Sequence, residues 1–206
     1  VDAHQLIEPL LSLLLGYALG SIPFGLILTR LAGTEDLRSI GSRSIGATNV
    51  LRTGHKGLAA LTLVLDAAKG TVAILLAARL LPGNEAAAAA GALLGHLYPV
   101  WLRFEGGKGI ATLFGILVGF CAAGLVSWGV AIAYAAVWLT LLALGRFSSV
   151  AGMAAAVSAP IGAALFGRFD LALLFLAFAL LLIWKHRANI ERLLAGTEPR
   201  VGRQRT

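Results

Sequence analysis

Seven apolar runs, joined by polar segments too short to fold by themselves, restrict this chain more than anything else in it. They are Ile7 to Leu31, Leu58 to Leu81, Ala86 to Leu102, Ile110 to Gly124, Leu125 to Leu144, Ser148 to Leu165 and Leu171 to Trp184. A helix needs ~20 apolar residues to cross a ~30 Å hydrocarbon core. Seven crossings therefore use most of the 206 residues and leave no separate soluble domain. The composition agrees: 58% of residues are hydrophobic and 13% charged, with the charges in clusters, and the mean hydropathy is +0.85. The expected fold is all-α, a polytopic integral membrane protein with seven transmembrane helices forming one domain, residues 1–206.

Charge placement orients it. With the N-terminus outside and the C-terminus cytoplasmic, Arg30, Arg38, Arg43, Arg52, Lys56, Arg103, Lys108, Arg146, Lys185, Arg187, Arg192, Arg200, Arg203 and Arg205 fall inside. Arg79 and Arg168 then lie near the outer ends and Lys69 within a span, the bias expected of cytoplasmic loops. The third and fourth runs are the shortest, and the fourth joins the fifth near Gly124 without a charge, so six or eight spans are the alternatives; an even count spoils the partition. The net charge of +7 reflects this bias and attraction to anionic lipid, with nucleic acid a poor explanation.

Val1 to Glu8 carries acids where a signal peptide has a basic region, and the apolar run behind it exceeds a signal core, so the segment is expected to be retained. The one cysteine, Cys121, has no partner for an internal disulfide and no Cys or His at metal-ligand spacing; neither disulfide nor metal is expected. Gly16 and Gly20, Gly91 and Gly95, and Gly115 and Gly119 each form G-x-x-x-G, which permits close helix approach. Packing within the chain is favoured over a dimer seam. Pro23 and Pro160 are expected to kink their spans.

Between the short third and fourth runs lies GHLYPVWLRFEGGKGIAT, Gly95 to Thr112. Glu105, Gly106, Gly107, Lys108 and Gly109 place backbone N–H groups and an ammonium where the next helix starts, an arrangement that suits phosphate or carboxylate. It is not a Walker A loop, since Leu102 stands where the first glycine belongs and Gly109 where Ser or Thr holds magnesium. The plainer reading is a tight turn with an orienting lysine. The first inner loop, Gly33 to Lys56, adds hydroxyls, an amide and guanidinium forks able to clamp an anion, or serves as a solvated loop with orientation charges.

Asp66 and Lys69, three apart, share a helical face inside the second run. Ionisable groups at that depth mark a pathway or site, or else form a buried structural pair; a ~20-residue span ending at Leu81 puts them in its inner third. Past Trp184 the last span is expected to continue into the cytoplasm, with His186 and Asn189 on one face and Arg187 paired with Glu191 on another. Ser42, Thr48, Asn49, Arg52, Asp66, Lys69, His96, Lys108, Ser149, His186 and Asn189 thus collect on the inner side. This one-sidedness points to a catalytic or binding mouth at the cytoplasmic interface. It does not choose the chemistry.

GSIPFG at Gly20 to Gly25, GSRSIGATNVLR at Gly41 to Arg52, DAAKG at Asp66 to Gly70, the glycine-rich hairpin, and HRANIERLLAGTE at His186 to Glu198 follow one another in an order that resembles the membrane-integral bacterial glycerol-3-phosphate acyltransferases using acyl-phosphate, the PlsY type. The likeness runs nearly end to end. It departs at Arg43 and Ser44, where the family pattern, close to GSGNxGATN, has glycine and asparagine. The resemblance implies transfer of a fatty acyl group from acyl-phosphate to the 1-hydroxyl of glycerol 3-phosphate, giving lysophosphatidic acid and phosphate, at the cytoplasmic side of the bacterial inner membrane. No cofactor, metal or nucleic acid enters, and the partners are the two substrates and membrane lipid.

Lys108 and the Gly106 and Gly107 amides, assisted by Arg52, Ser42, Thr48 and Asn49, are expected to bind the phosphates. Ser149, His186 and Asn189 are expected to orient the acceptor, with Asp66, Lys69, His96 and Glu198 in support. An acyl-phosphate is already activated, so positioning and charge neutralisation suffice; the G-x-S-x-G elbow is missing. His186 as general base and the donor's own phosphate as base are both open. An organic-anion transporter would require an inverted repeat and polar groups on both faces, a membrane scaffold a larger docking surface, and a CDP-alcohol transferase clustered aspartates. The sequence shows none of these.

Overall fold

The computed structural model describes the backbone of residues 3–202 and the side chains of residues 6–202. Arg203 and Arg205, counted above with the inner charges, and Val1 and Asp2, at the start of the segment expected to be retained, lie outside the described residues. Among those described there is helix and no strand. The chain divides into two compact units, Val1–Leu125 and Val126–Thr206. The first holds α1 (Ala3–Gly20), α2 (Phe24–Leu31), the short α3 (Ala47–Val50), α4 (Lys56–Leu80), α5 (Glu85–Leu97) and α6 (Ile110–Ala122). The second holds α7 (Trp128–Gly145), α8 (Ser148–Leu165), α9 (Phe169–Lys185) and α10 (Arg187–Leu194).

Every apolar run contains a helix, and the uncertain boundary at Gly124 is a real one: this glycine, at φ +73°, turns the chain between α6 and α7. Length is more selective. Among the described residues Leu6–Leu31, Lys56–Leu80, Trp128–Gly145 and Ser148–Leu165 are long and apolar enough to cross a membrane, with α9 and α10 together a fifth, bent candidate. α5 and α6 have 13 residues each, ~20 Å at 1.5 Å per residue.

The first unit is built on glycine. A Cβ on Gly16 or Gly20 of α1 would strike the α5 backbone at Ala88 or Ala92, and one on Gly91 or Gly95 of α5 would strike α1 at Leu13 or Tyr17. The two G-x-x-x-G faces therefore pack on each other within one chain, as expected of small residues where lipid gives helices no hydrophobic reason to associate. Gly115 of α6 is set against Ala67 of α4 in the same way, and Thr71 Oγ1 donates across that seam to the Gly115 carbonyl at 2.8 Å. In the second unit α8 packs between α7 and α9, contributing Ala151, Ala155, Ala159 and Ala163 to a core completed by Val130, Tyr134, Phe175 and Leu182. Large side chains such as Leu75, Leu80, Leu139, Leu173 and Leu180 point outward, the inverse of a water-soluble domain.

Two proline expectations separate. At Pro23 the helix breaks between Gly20 and Phe24. At Pro160 the chain stays helical, since α8 runs continuously across it with one backbone bond removed. Pro9 is carried inside α1 in the same way.

Candidate active site

Within the first unit the loop that precedes α4 closes on one amide. Asn49 Nδ2 donates to the carbonyls of Leu37 (2.8 Å) and Ile40 (3.3 Å), while its Oδ1 accepts from the Ser42 N–H (3.2 Å) and from Arg52 Nη1 (3.0 Å). Ser42 Oγ lies at 3.5 Å from the same oxygen. The structure thus brings Ser42, Asn49 and Arg52 together, but Asn49 is engaged within the loop, where it aims the guanidinium. Gly41 is at φ +52° with Arg52 and Asn49 against it, so a side chain there would displace both. Thr48 is exposed on α3. Arg43, at the position where the family pattern has glycine, adopts φ +56°, a conformation that glycine enters without penalty and arginine does not.

The glycine-rich hairpin is held from beneath. Gly107 N–H donates to the His96 carbonyl (3.0 Å) and Gly106 N–H to the Leu97 carbonyl (3.2 Å). The expectation that these two amides bind a phosphate is therefore corrected: they cap the C-terminus of α5, whose last carbonyls would otherwise lack partners. Their glycine identity has a packing cause as well, since a Cβ on Gly106 would run into the His96 carbonyl and one on Gly107 into the His96 ring. Lys108 follows, half-buried, just before Gly109 (φ +79°) and the start of α6 at Ile110. This leaves the ammonium and the α6 N-terminus as the anion-attracting features of the hairpin.

Behind the hairpin lies a buried charge cluster. Lys69 Nζ meets Asp66 Oδ1 at 2.8 Å, both side chains almost fully buried, and also donates to the Ile22 carbonyl at 2.9 Å. His96 Nδ1 is 3.7 Å from the same Asp66 oxygen. α4 starts at Lys56 and runs 25 residues, so along the helix Asp66 and Lys69 stand near its middle.

The second unit is organised by Glu198. Its Oε1 accepts from Ser149 Oγ (2.7 Å) and Asn189 Nδ2 (2.6 Å), its Oε2 from Arg192 Nε (2.7 Å), and its side chain is only 4% exposed. Burial pushes the carboxyl up, but the bonds from Asn189, Ser149 and Arg192 outweigh it and hold the group below its ordinary value. The chain reaches this position because Gly196, at φ +69°, ends α10 and reverses direction. The segment is then strapped down: Val201 N–H donates to the Arg146 carbonyl (2.7 Å), Arg146 Nε donates to the Val201 carbonyl (3.0 Å), and the Arg200 guanidinium sits 5.1 Å from the Phe147 ring centroid. Sequence reasoning missed Arg192, Arg146, Arg200 and Val201; a carboxylate placed just after the Gly196 stop was the available signal.

The last span does not continue straight past Trp184. It bends by 57° between α9 and α10, at His186, whose N–H is shared between the Leu182 (3.1 Å) and Ile183 (2.9 Å) carbonyls and whose own carbonyl starts the next helix by accepting from Asn189 and Ile190. The ring takes part: Nδ1 lies 2.7 Å from the Leu182 carbonyl. A carbonyl only accepts, so Nδ1 carries the proton, and in the neutral ring Nε2 is the basic nitrogen. The expected surface pair of Arg187 with Glu191 is replaced by stacking, with the guanidinium 5.3 Å from the Trp184 ring centroid. Among the described residues no group of three His, Cys, Asp or Glu gathers as for a metal.

Comparison with known proteins gives one consistent result. The family profile described as glycerol-3-phosphate acyltransferase matches residues 10–196. A glycerol-3-phosphate acyltransferase of Erythrobacter litoralis (strain HTCC2594) is 54% identical over 196 residues, covering 95% of this chain and 96% of that protein. One of Bradyrhizobium sp. (strain ORS 278) is 57% identical over 192 residues, covering 93% and 94%. Two crystal structures of the integral membrane glycerol 3-phosphate acyltransferase PlsY are similar in fold. The glycerol 3-phosphate form has TM-score 0.86 and 35% identity, covering 94% of this chain and 96% of that one. The lysophosphatidic acid form has TM-score 0.83 and 33% identity, covering 94% and 95%.

Proposed function

This chain belongs to the glycerol-3-phosphate acyltransferase family, and from that premise we propose that it transfers a fatty acyl group from an acyl-phosphate to the 1-hydroxyl of glycerol 3-phosphate. It is an all-helical integral membrane acyltransferase of phospholipid synthesis. The end-to-end likeness to PlsY in its glycerol 3-phosphate and lysophosphatidic acid forms carries the choice of acceptor and product. An acyl-phosphate donor suits the residues: each reactant brings a phosphate to a site whose cations are Lys108 and Arg52, and the activated carbonyl calls for alignment more than for a protein nucleophile.

The acceptor's C1 oxygen forms the ester bond to the acyl carbon. The carbonyl carbon–oxygen bond to phosphate breaks, and phosphate leaves with the electron pair. We assign Lys108, beside the α6 N-terminus, and Arg52 to phosphate, with Ser42 and Asn49 positioning the Arg52 guanidinium and the exposed Thr48 hydroxyl adding a donor. Ser149, His186 and Asn189 orient glycerol 3-phosphate, with Glu198 fixing Ser149 and Asn189. His186 Nε2 accepts a hydrogen bond from the reacting hydroxyl, and the departing phosphate takes its proton. Residues 1–206 work as a single catalytic domain in a seven-span topology, N-terminus outside and C-terminus cytoplasmic, in the bacterial inner membrane with the chemistry on the cytoplasmic side. The positive-inside partition supports this, the 13-residue α5 and α6 being its two shortest spans.

The test is donor choice. Purified protein in a lipid mimic receives acyl-phosphate with and without glycerol 3-phosphate, with acyl-CoA as control donor. Phosphate release that needs both acyl-phosphate and acceptor is expected; no release, or release independent of glycerol 3-phosphate, removes the reading.

A further inference from the structure

The Asp66–Lys69 pair takes no part in the reaction as assigned, yet it puts two buried charges inside a helix long and apolar enough to cross a membrane. Both side chains are buried near the middle of α4, and ionisable groups at such depth are costly and seldom kept for stability alone. Their neighbours make a continuous path. Lys69 reaches the Ile22 carbonyl (2.9 Å) at the Pro23 break between α1 and α2, and Asp66 faces His96 Nδ1 at 3.7 Å. His96, 4% exposed, closes the path: a Cβ on Gly107 would collide with its Nε2 edge, and its carbonyl holds the Gly107 N–H at 3.0 Å. The next residue is Lys108.

We propose that His96 is a positioning residue for Lys108, steered by the Asp66–Lys69 pair through Nδ1 and bearing on Gly107 through the opposite edge of its ring. The inference rests on the reading of Lys108 as a phosphate ligand. Gly106 and Gly107 permit many backbone conformations, so a loop that places an ammonium within hydrogen-bond reach of an anion needs a rigid surface beneath it. The imidazole supplies that surface, and the Asp66 charge, 3.7 Å from Nδ1 and so beyond hydrogen-bond distance, biases the ring's rotation. Lys69 in turn keeps Asp66 in place and joins the whole to the α1–α2 break, so four elements (the break, α4, the end of α5 and the hairpin) share one charge cluster. Gly107 is glycine because the ring occupies the place of its Cβ.

Direct glycerol 3-phosphate binding and steady-state kinetics of the purified protein are measured for wild type, His96→Leu, His96→Gln, the double variant Asp66→Leu/Lys69→Met, and Lys108→Ala. The double variant removes both charges together, so no lone buried ion is left, and it leaves the ring in place without its steering group. His96→Leu and the double variant are expected to weaken binding and raise KM for glycerol 3-phosphate by about tenfold or more while kcat changes by less than about threefold. His96→Gln, which keeps a polar atom toward Asp66, is expected to recover most of the loss. Unchanged KM in a folded His96→Leu protein, or a loss confined to kcat, overturns the proposal. Should His96→Leu fail to fold, the double variant decides, since wild-type KM there overturns it equally. Lys108→Ala separates the two readings: retained binding in that variant removes the phosphate assignment itself, whereas lost binding in Lys108→Ala beside normal binding in His96→Leu removes only the positioning role.

Discussion

The Asp66 cluster of the first unit and the Glu198 cluster of the second use one device, a carboxylate that gathers side chains from distant parts of the sequence, under opposite conditions. Asp66 lies at mid-helix among tightly packed, glycine-seamed helices, and its main partner is a lysine that is itself buried. Glu198 lies past the end of the last helix, and its cationic partner, Arg192, is 33% exposed. Three hydrogen bonds, a glycine turn and the Arg146–Val201 strap hold it. The first arrangement fails as a whole if one partner is removed, because the survivor is left charged in a medium that cannot solvate it. The second is a set of local bonds that weaken one at a time.

Breaking the first cluster on one side gives the largest effect. Asp66→Ala, leaving Lys69 buried and unpaired, is expected to cost about 3–5 kcal/mol, read as a fall in thermal midpoint or as loss of folded protein on size exclusion. A wild-type midpoint contradicts the contrast. Glu198→Ala comes next, with a stability loss of roughly 1–2 kcal/mol accompanied by a drop in kcat of at least about tenfold as Ser149 and Asn189 lose their anchor. Glu198→Gln, which keeps an acceptor, should restore much of the rate.

The helical runs, the intramolecular glycine seams and the pairing of Asp66 with Lys69 were all legible in the sequence, because each rests on spacing along one element. What a glycine is for was not. Gly106 and Gly107 read as an anion cradle until the His96 ring and the α5 carbonyls are seen beneath them. The bend at His186 was hidden for another reason: the polar residues after Trp184 are themselves good helix formers, and the interruption comes from a ring and an N–H competing for the Leu182 carbonyl. The Glu198 hub joins residues 49 positions apart, a separation over which hydropathy carries no information.

Acidity sharpens the contrast. The Glu198 carboxyl is lower in the folded chain than in the unfolded one, so its contribution is present above the ordinary glutamate value of about 4.3 and is lost as pH falls through the depressed folded value. Hydrogen exchange across residues 186–202 should rise in that acid window before exchange in α1 and α5 does; simultaneous loss would mean the clusters are not independent. The smallest effect is expected at Arg43, which holds φ +56°. Arg43→Gly should stabilise by about 1 kcal/mol, seen as a slightly higher midpoint with unchanged turnover, and a lower midpoint would show that the arginine side chain makes a compensating contact.

The claim on which the rest depends is that the ammonium at the head of α6 holds substrate phosphate. Its most direct test is phosphate release from acyl-phosphate in the presence of glycerol 3-phosphate by purified Lys108→Ala, compared with wild type at equal folded concentration. A fall of about a hundredfold or more in kcat/KM for glycerol 3-phosphate is predicted, as for loss of a charge that binds the substrate phosphate; near-normal turnover at low glycerol 3-phosphate would contradict the account.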